Sequence, residues 1–318
     1  MSRSTGTRLS LDKYTVAMIC PLEVEITAAR AMLNEEYDRL DTPKDGTNTY
    51  SFGSLGEHNM VLASLPEGSQ GTNSAAGVAI HMGRTFPAIK LRLLVGIGGG
   101  VPSNGNDIRL GDVVVGTPTG ETGGVVEYDL GKETTEGFIR KGVCPPLIGA
   151  LTAMKSNHRL KKRNRIGDFL SEMHRRHDCL TEYERPRPEK DVLFLPDYEH
   201  HQGQPTCANC DGEKAKPRPP RDCPRVFYGL IASGNRVMKN ATERDRISGN
   251  LGGAICFEME AAGLMNNFEC IVIRGIADYS DSHKNDAWHP CAAAAAASLA
   301  KELLSNIPGK YLFVVAKE

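Results

Sequence analysis

At 318 residues the chain is long enough to bury a large core, in one α/β domain or in two smaller ones. Its 38 Lys and Arg balance 39 Asp and Glu to a net charge of −1, so no global field draws it to nucleic acid or a membrane, and a small-molecule ligand is the default. The longest apolar stretch, "CAAAAAASLA" (291–300), is far short of a spanning helix, "MSRSTGTRLSLDKY" lacks a signal-peptide core, and nine scattered cysteines suit reduced thiols, so a cytoplasmic protein is expected.

After a flexible leader (1–13), "YTVAMIC" (14–20) predicts a strand and "LEVEITAARAML" (22–33) a helix. "TYSFGSLGEHNMVLASL" predicts a hairpin, 49–55 and 58–65, turning at Gly56-Glu57. A small-residue helix (71–86) precedes a buried strand (88–98) that runs into "GIGGG", and "GDVVVGT" (111–117) is another strand. From about 145 to 225 two helical patterns, "PPLIGALTAMKSNHRL" and "KKRNRIGDFLSEMHRRH", give way to a Pro-, Arg-, Cys- and His-rich stretch; the whole reads as an irregular insertion. Periodicity returns with a strand-like run at 226–234, a helix near 240–250, a strand into a helix at 253–268, a central strand at 270–280 and an Ala-rich helix at 291–306. Strand–helix alternation with continuous apolar strands predicts one three-layer α/β domain (14–318).

Ligands of open α/β sheets bind beyond the carboxyl ends of the strands. Those ends here carry "CPLEVE", "GIGGG", "FEMEA" and "GIADYSDS", which bring Glu23, Glu25, Glu258, Glu260, Asp278 and Asp281 to one edge. Local roles compete with a site at each position. Glu258 or Glu260 could cap the helix that follows, Asp278 could close an Asx turn, and Glu23 and Glu25 suit the first turn of a helix. Two carboxylates flanking Met259 nevertheless exceed the need of one cap, and a bidentate carboxylate suits a vicinal diol. The glycines at 96–100 match neither a dinucleotide fingerprint, because a loop and strand follow, nor a P-loop, because no Gly-Lys-Ser/Thr occurs. What remains is a turn on which a ligand lies directly against backbone.

In that order, "PLEVEITAAR", "VGIGGGV…IRLGDVVVG", "LIASGNRVMKN", "FEMEAAGLMNNF" and "VIRGIADYSD" resemble the purine nucleoside phosphorylase and uridine phosphorylase superfamily, including its methylthioadenosine/S-adenosylhomocysteine nucleosidases. The likeness is greatest to fungal domains found at the head of multidomain proteins that resemble innate immune receptors. It covers about 14–130 and 226–306. The resemblance implies that Glu260 grips the ribose diol with Glu258 nearby and Met259 against the sugar. It further implies that Asp278 hydrogen-bonds or protonates purine N7 and that an ionised Glu25 activates water. Val237 and Met238 then lie against the base, with Ile97, Gly98 and Gly99 as the floor. A central mixed sheet, no catalytic cofactor and a homo-oligomer are also implied.

Where phosphorylases of this superfamily carry two phosphate-binding arginines and a Ser or Thr, this chain has Glu23, Leu94 and Ile97. Hydrolysis of a purine nucleoside or nucleotide, adenine by preference, is therefore expected ahead of phosphorolysis. Arg92, on the strand face of Leu94, could restore phosphate binding. A nucleotide-sensing or immune-effector module of a signalling protein is a further alternative.

In the insertion, His200, Cys207, Cys210 and Cys223 have the types and spacing of a structural zinc site. The basic runs at 161–165 and 174–177 are either a solvated face or contacts for substrate phosphates, for which Lys239 and Lys284 are alternatives.

Overall fold

The computed structural model describes residues 7–309 apart from 41–47, 104, 120–121, 130–131, 135–136, 140–141, 144–147, 202, 205 and 266–267. The elements run β1 (Val16–Ile19), α1 (Glu23–Ala31), β2 (Glu35–Tyr37), β3 (Tyr50–Leu55), β4 (His58–Ala63), α2 (Thr72–Thr85), β5 (Leu91–Gly100), β6 (Val113–Gly116) and β7 (Val125–Glu127). They continue with β8 (Lys132–Thr134), β9 (Gly137–Ile139), β10 (Gly142–Val143), α3 (Ile148–Lys161), α4 (Ile166–Arg176), β11 (Val226–Gly229) and β12 (Ile231–Ser233). The last are α5 (Ala241–Asn250), β13 (Cys256–Glu258), α6 (Ala261–Met265), β14 (Ile271–Asp278) and α7 (His289–Ser305). The sheet is mixed and branches at β5. That strand lies parallel to β1 along its first half, parallel to β14 from Leu93 to Gly99, and antiparallel to β13 at its end, where Cys256 faces Gly100.

Alternating side chains of the central strands feed two cores, as period-2 geometry requires. Val16, Met18, Leu91, Leu93, Ile271 and Ile273 pack beneath α1 and α7, whereas Ala17, Ile19, Leu94 and Val272 pack beneath α2 and α6. Helix α7 is buried on every side, and its alanines let it approach the sheet so closely that a β-carbon at Gly275 would strike the Ala292 backbone. No helix among the described residues is long and apolar enough to cross a membrane.

Several expectations change. The glycine stretch is not a turn but the second half of β5. Side chains are excluded there because a β-carbon at Gly96 would meet Glu25 and Arg274, and one at Gly98 would meet Cys256 and Phe257. Packing thus overrides the weak strand propensity of glycine. The run 226–234 is two strands that break at Leu230. Residues 7–13 of the leader are anchored, with Leu9 and Leu11 against the core and the Asp38 N–H donating to the Thr7 carbonyl.

The stretch at 145–225 also divides. Leu151 and Met154 of α3 and Ile166, Phe169 and Met173 of α4 join the main core against α7. The polar groups of α7 seal that join: Lys301 reaches Glu172 at 3.3 Å, and Glu302 accepts from the Arg165 N–H and meets His158, both at 3.0 Å. Only the segment after α4 is irregular. It is held by buried pairs, including Arg221 with Asp112 and Arg218 with Asp191, and by the hydroxyl of Tyr279, which accepts from Arg218 at 2.7 Å.

Candidate active site

A cleft opens at the carboxyl ends of β1, β5 and β14 and beside the loop that follows β12. It is lined by Glu25, Met259, Glu260 and Asp278, by Ile97 to Gly99, and by Val237 and Met238, so the structure brings together the groups expected there. Val237 is 49% exposed, which places it at the mouth.

Glu25 is buried at the third position of α1. One carboxylate oxygen accepts from the Leu22 N–H and the other from the Ile97 N–H, each at 2.7 Å. The first bond is the helix-terminus role that sequence alone would assign, and the second ties the same group to β5 and the cleft. Burial outweighs the nearby Arg274 and the two N–H donors and pushes the carboxyl up to about 7, so the group expected to be ionised is poised between its two forms.

Glu258 and Glu260 divide the roles that the sequence left open. Glu258 also lines the cleft but accepts from the Ala261 N–H at 3.0 Å and the Glu260 N–H at 3.2 Å, which makes it the cap of α6. One oxygen of Glu260 has a single long contact, the Gly71 N–H at 3.4 Å, and is open to a ligand. Burial, and then the adjoining Glu258, raise the Glu260 carboxyl against the opposing pull of Arg274.

Arg274 is the residue that sequence reasoning passed over. It projects from the middle of β14, is 1% exposed, and reaches Glu258 in a very short contact, Glu260 at 3.1 Å and Glu25 at 4.0 Å. Although burial disfavours its charge, the three carboxylates push its ionisation well above the ordinary arginine range. An arginine within an otherwise apolar central strand was the available signal, since so costly a burial requires anionic partners.

Asp278 ends β14. It accepts from the Ser280 N–H at 2.7 Å, the Asx-type turn that its sequence allowed, and pairs with Lys284 at 2.9 Å. A β-carbon at Gly99 would strike both Ser280 and Asp278. Ser280 has φ +53°, a left-handed conformation uncommon outside glycine, which redirects the chain immediately after the carboxylate. Gln70, Arg236 and His289 also line the cleft without having been singled out by sequence.

Other expected residues lie elsewhere. Leu94 is fully buried in the core, and Glu23 accepts from Thr27 at 2.8 Å on α1. Arg92 lies over the Phe268 ring at 4.9 Å and does not line the cleft. Neither basic run reaches the cleft: Arg163 pairs with Asp168, Arg165 lies over Phe169, and Arg176 donates to the Leu33 carbonyl. The cations at the cleft are instead Arg236, Lys239 and Lys284. In the irregular segment His200, Cys207 and Cys210 converge, but exposed Cys223 is not part of that cluster.

A cleft at the sheet end, floored by glycine backbone and ringed by carboxylates around one buried arginine, defines an α/β protein built to hold a small polar ligand. The chain belongs to the phosphorylase superfamily, whose profile matches residues 15–306. Over 307 residues, 94% of this chain, it is 44% identical to a nucleotide-binding leucine-rich repeat (NLR)-like protein of Hyaloscypha variabilis, and it spans only 30% of that relative's length. Over 86 residues, 26% of this chain and 17% of the relative, it is 33% identical to the ATP nucleosidase Cap17 of Escherichia coli. The fold is similar to that of a 5′-methylthioadenosine/S-adenosylhomocysteine nucleosidase of Neisseria meningitidis in complex with methylthio-immucillin-A (TM-score 0.59, 20% identity, 92% of this chain and 99% of the other). It is also similar to that of the futalosine hydrolase of Helicobacter pylori (TM-score 0.61, 14% identity, 94% and 100%).

Proposed function

We propose that the chain is a purine nucleoside or nucleotide N-ribohydrolase, cleaving the N-glycosidic bond to free base and ribose or ribose phosphate, with adenine as the preferred base. The observation that carries this reading is the state of Glu25: buried, fixed by one N–H at each oxygen, and poised near neutrality on the same cleft as Asp278. In this mechanism Glu260 holds the ribose hydroxyls and Glu25 takes a proton from the water that attacks the anomeric carbon. The electron pair of the breaking bond passes to the base, whose N7 takes the proton of a protonated Asp278, and the carboxylate so formed is left paired with Lys284. N-glycosidic cleavage passes through a cationic sugar, and with Glu25 in its ionised form the carboxylates around the single Arg274 place negative charge where that cation develops.

Hydrolysis is favoured over phosphorolysis by what surrounds Glu25. Leu94 is in the core, Arg92 stacks on Phe268, and Arg274 is already engaged by carboxylates, so a phosphate dianion beside Glu25 would be repelled. Arg236 and Lys239, at the mouth, are the groups we assign to substrate phosphates. A second reading, a nucleotide-sensing or effector head of a signalling protein, is supported by the 44% identity to the NLR-like protein.

The test is incubation with adenosine, inosine, guanosine, uridine, methylthioadenosine, AMP and ATP, with and without phosphate, followed by identification of base and sugar. Free ribose or ribose 5-phosphates without a phosphate requirement support the proposal. Ribose 1-phosphate formed only with phosphate would establish phosphorolysis, and binding without turnover would favour the sensor.

A further inference from the structure

The irregular segment after α4 gathers soft metal ligands at one point. A ring nitrogen of His200 and the sulfurs of Cys207 and Cys210 lie within 4.8 Å of one another. Ligand atoms around tetrahedral zinc are roughly 3.3–3.8 Å apart, given bonds of about 2.0–2.3 Å, so closure requires shifts of only about 1 Å. Both thiols are free, and a single 3-10 turn, Cys207–Asn209, closed by the Cys210 N–H on the Cys207 carbonyl at 3.1 Å, presents them together.

A fourth group adjoins the three. His283 is 7% exposed and its Nε2 has no hydrogen-bond partner, an expensive state for a buried polar atom. Its ring stacks on Phe194 at 4.0 Å and on Tyr198 at 5.4 Å, while the His200 ring meets it nearly edge-on at 5.4 Å. The other nitrogen, Nδ1, lies 4.0 Å from a carboxylate oxygen of Asp281, on the side where metal-bound histidines commonly find an orienting acceptor. The two loops already touch: the His200 N–H donates to Ser282 Oγ at 2.9 Å, and the Cys207 thiol faces the His283 carbonyl at 3.8 Å.

We propose that His200, Cys207, Cys210 and His283 bind a structural zinc ion, which fastens the 200–210 loop to the loop after β14 and so helps hold Lys284 beside Asp278. Two thiolates and two imidazoles in tetrahedral array select zinc over oxygen-seeking cations. Of these groups only His200, Cys207 and Cys210 lie within 4.8 Å of one another, and we assign the fourth place to His283 over Cys223 because Cys223 is exposed while the His283 ring meets His200 at 5.4 Å and its carbonyl faces the Cys207 thiol. The site stands independently of the reaction assigned to the cleft.

The test is zinc content of the full chain purified under reducing conditions, together with the visible spectrum after cobalt replacement. About one zinc per chain is expected in wild type and in Cys223→Ser, with a thiolate-to-cobalt charge-transfer band. Cys207→Ser, Cys210→Ser and His283→Ala should lose at least about ten-fold in zinc affinity. The cobalt spectrum of wild type reports the thiolate ligands even if a variant fails to fold. A wild-type chain that stays metal-free after reduction and reconstitution with zinc overturns the proposal, as does a Cys207–Cys210 disulfide that persists in its place. Loss of zinc in Cys223→Ser, or wild-type zinc content in His283→Ala, overturns the ligand set.

Discussion

Arg274 Nη2 lies 3.1 Å from Glu260 Oε2, so the carboxylate proposed to hold the sugar is itself held by a guanidinium that never reaches solvent. Removing that guanidinium leaves Glu25, Glu258 and Glu260 facing one another in a buried site. Arg274→Met is expected to cost roughly 3–5 kcal/mol, a fall of about 5–7 °C in melting temperature for a domain of this size. The double variant Arg274→Met/Glu258→Gln should recover part of the loss, since it removes one of the uncompensated charges. Thermal unfolding of both variants together with Glu258→Gln alone checks this; a double variant that falls by the sum of the two single losses would show that Glu258 and Arg274 are not energetically coupled.

Glu25 supplies a pH signature. Because its carboxyl ionises at about 7 in the fold, a base role predicts that kcat/KM rises as pH increases through 7. Glu25→Gln should lower kcat by roughly 10²–10⁴-fold and abolish that limb. Stability should move the other way. The unfolded group ionises near its ordinary 4.5, so between there and about 7 the folded chain binds more protons than the unfolded one. Glu25 therefore contributes stability that is complete below pH 4.5 and declines by about 3 kcal/mol as pH rises to 7. Denaturant unfolding of wild type and Glu25→Gln across that range should show the difference; parallel curves would mean that Glu25 titrates normally.

The unequal legibility of the site follows from the kinds of interaction involved. Glu25, Glu260 and Asp278 were readable because a carboxylate at the end of an apolar strand is costly without a purpose, and strand ends are marked by local pattern. Arg274 was not, because its partners lie 14 and 16 residues upstream and on another helix, and only the fold shows that they meet. The glycines misled in the opposite way: their propensity says turn, but neighbouring side chains from β13, β14 and α1 make them strand. The basic runs were visible as charge, yet their positions at the link between α3 and α4 and at the end of α4 keep them away from the cleft.

The glycine strand makes its own prediction. A β-carbon at Gly99 would come within 2.7 Å of an Asp278 carboxylate oxygen and still closer to Ser280, neither of which can retreat, since Ser280 is buried and the Asp278 carboxylate is tied to it. Gly99→Ala should therefore cost roughly 1–3 kcal/mol and displace the carboxylate. A displacement of about 1 Å is enough to reduce turnover roughly 10²-fold. Gly105→Ala, with open space around it, is the control that should leave both quantities unchanged. Comparable activity in the two variants would remove Asp278 from the reaction.

The cations at the mouth separate nucleotide from nucleoside. Arg236 and Lys239 are exposed and border the cleft beside Val237 and Met238, with the Arg236 guanidinium over the Tyr128 ring at 5.8 Å, while Lys284 is paired with Asp278, so the first two can meet a phosphate chain without disturbing the groups around the sugar. A charge-assisted hydrogen bond contributes about 1.5–3 kcal/mol, so the double variant Arg236→Ala/Lys239→Ala should lower kcat/KM for ATP by roughly 10²-fold or more. Because the lost contacts act on phosphates and not on the reacting bond, the change should fall mainly in KM, and adenosine hydrolysis should be nearly unaffected. The ATP defect should also shrink as salt is raised in the wild-type comparison, since exposed charges are screened. Equal losses for adenosine and ATP would mean that Arg236 and Lys239 shape the cleft without touching a phosphate, and would return the proposed substrate to an uncharged nucleoside.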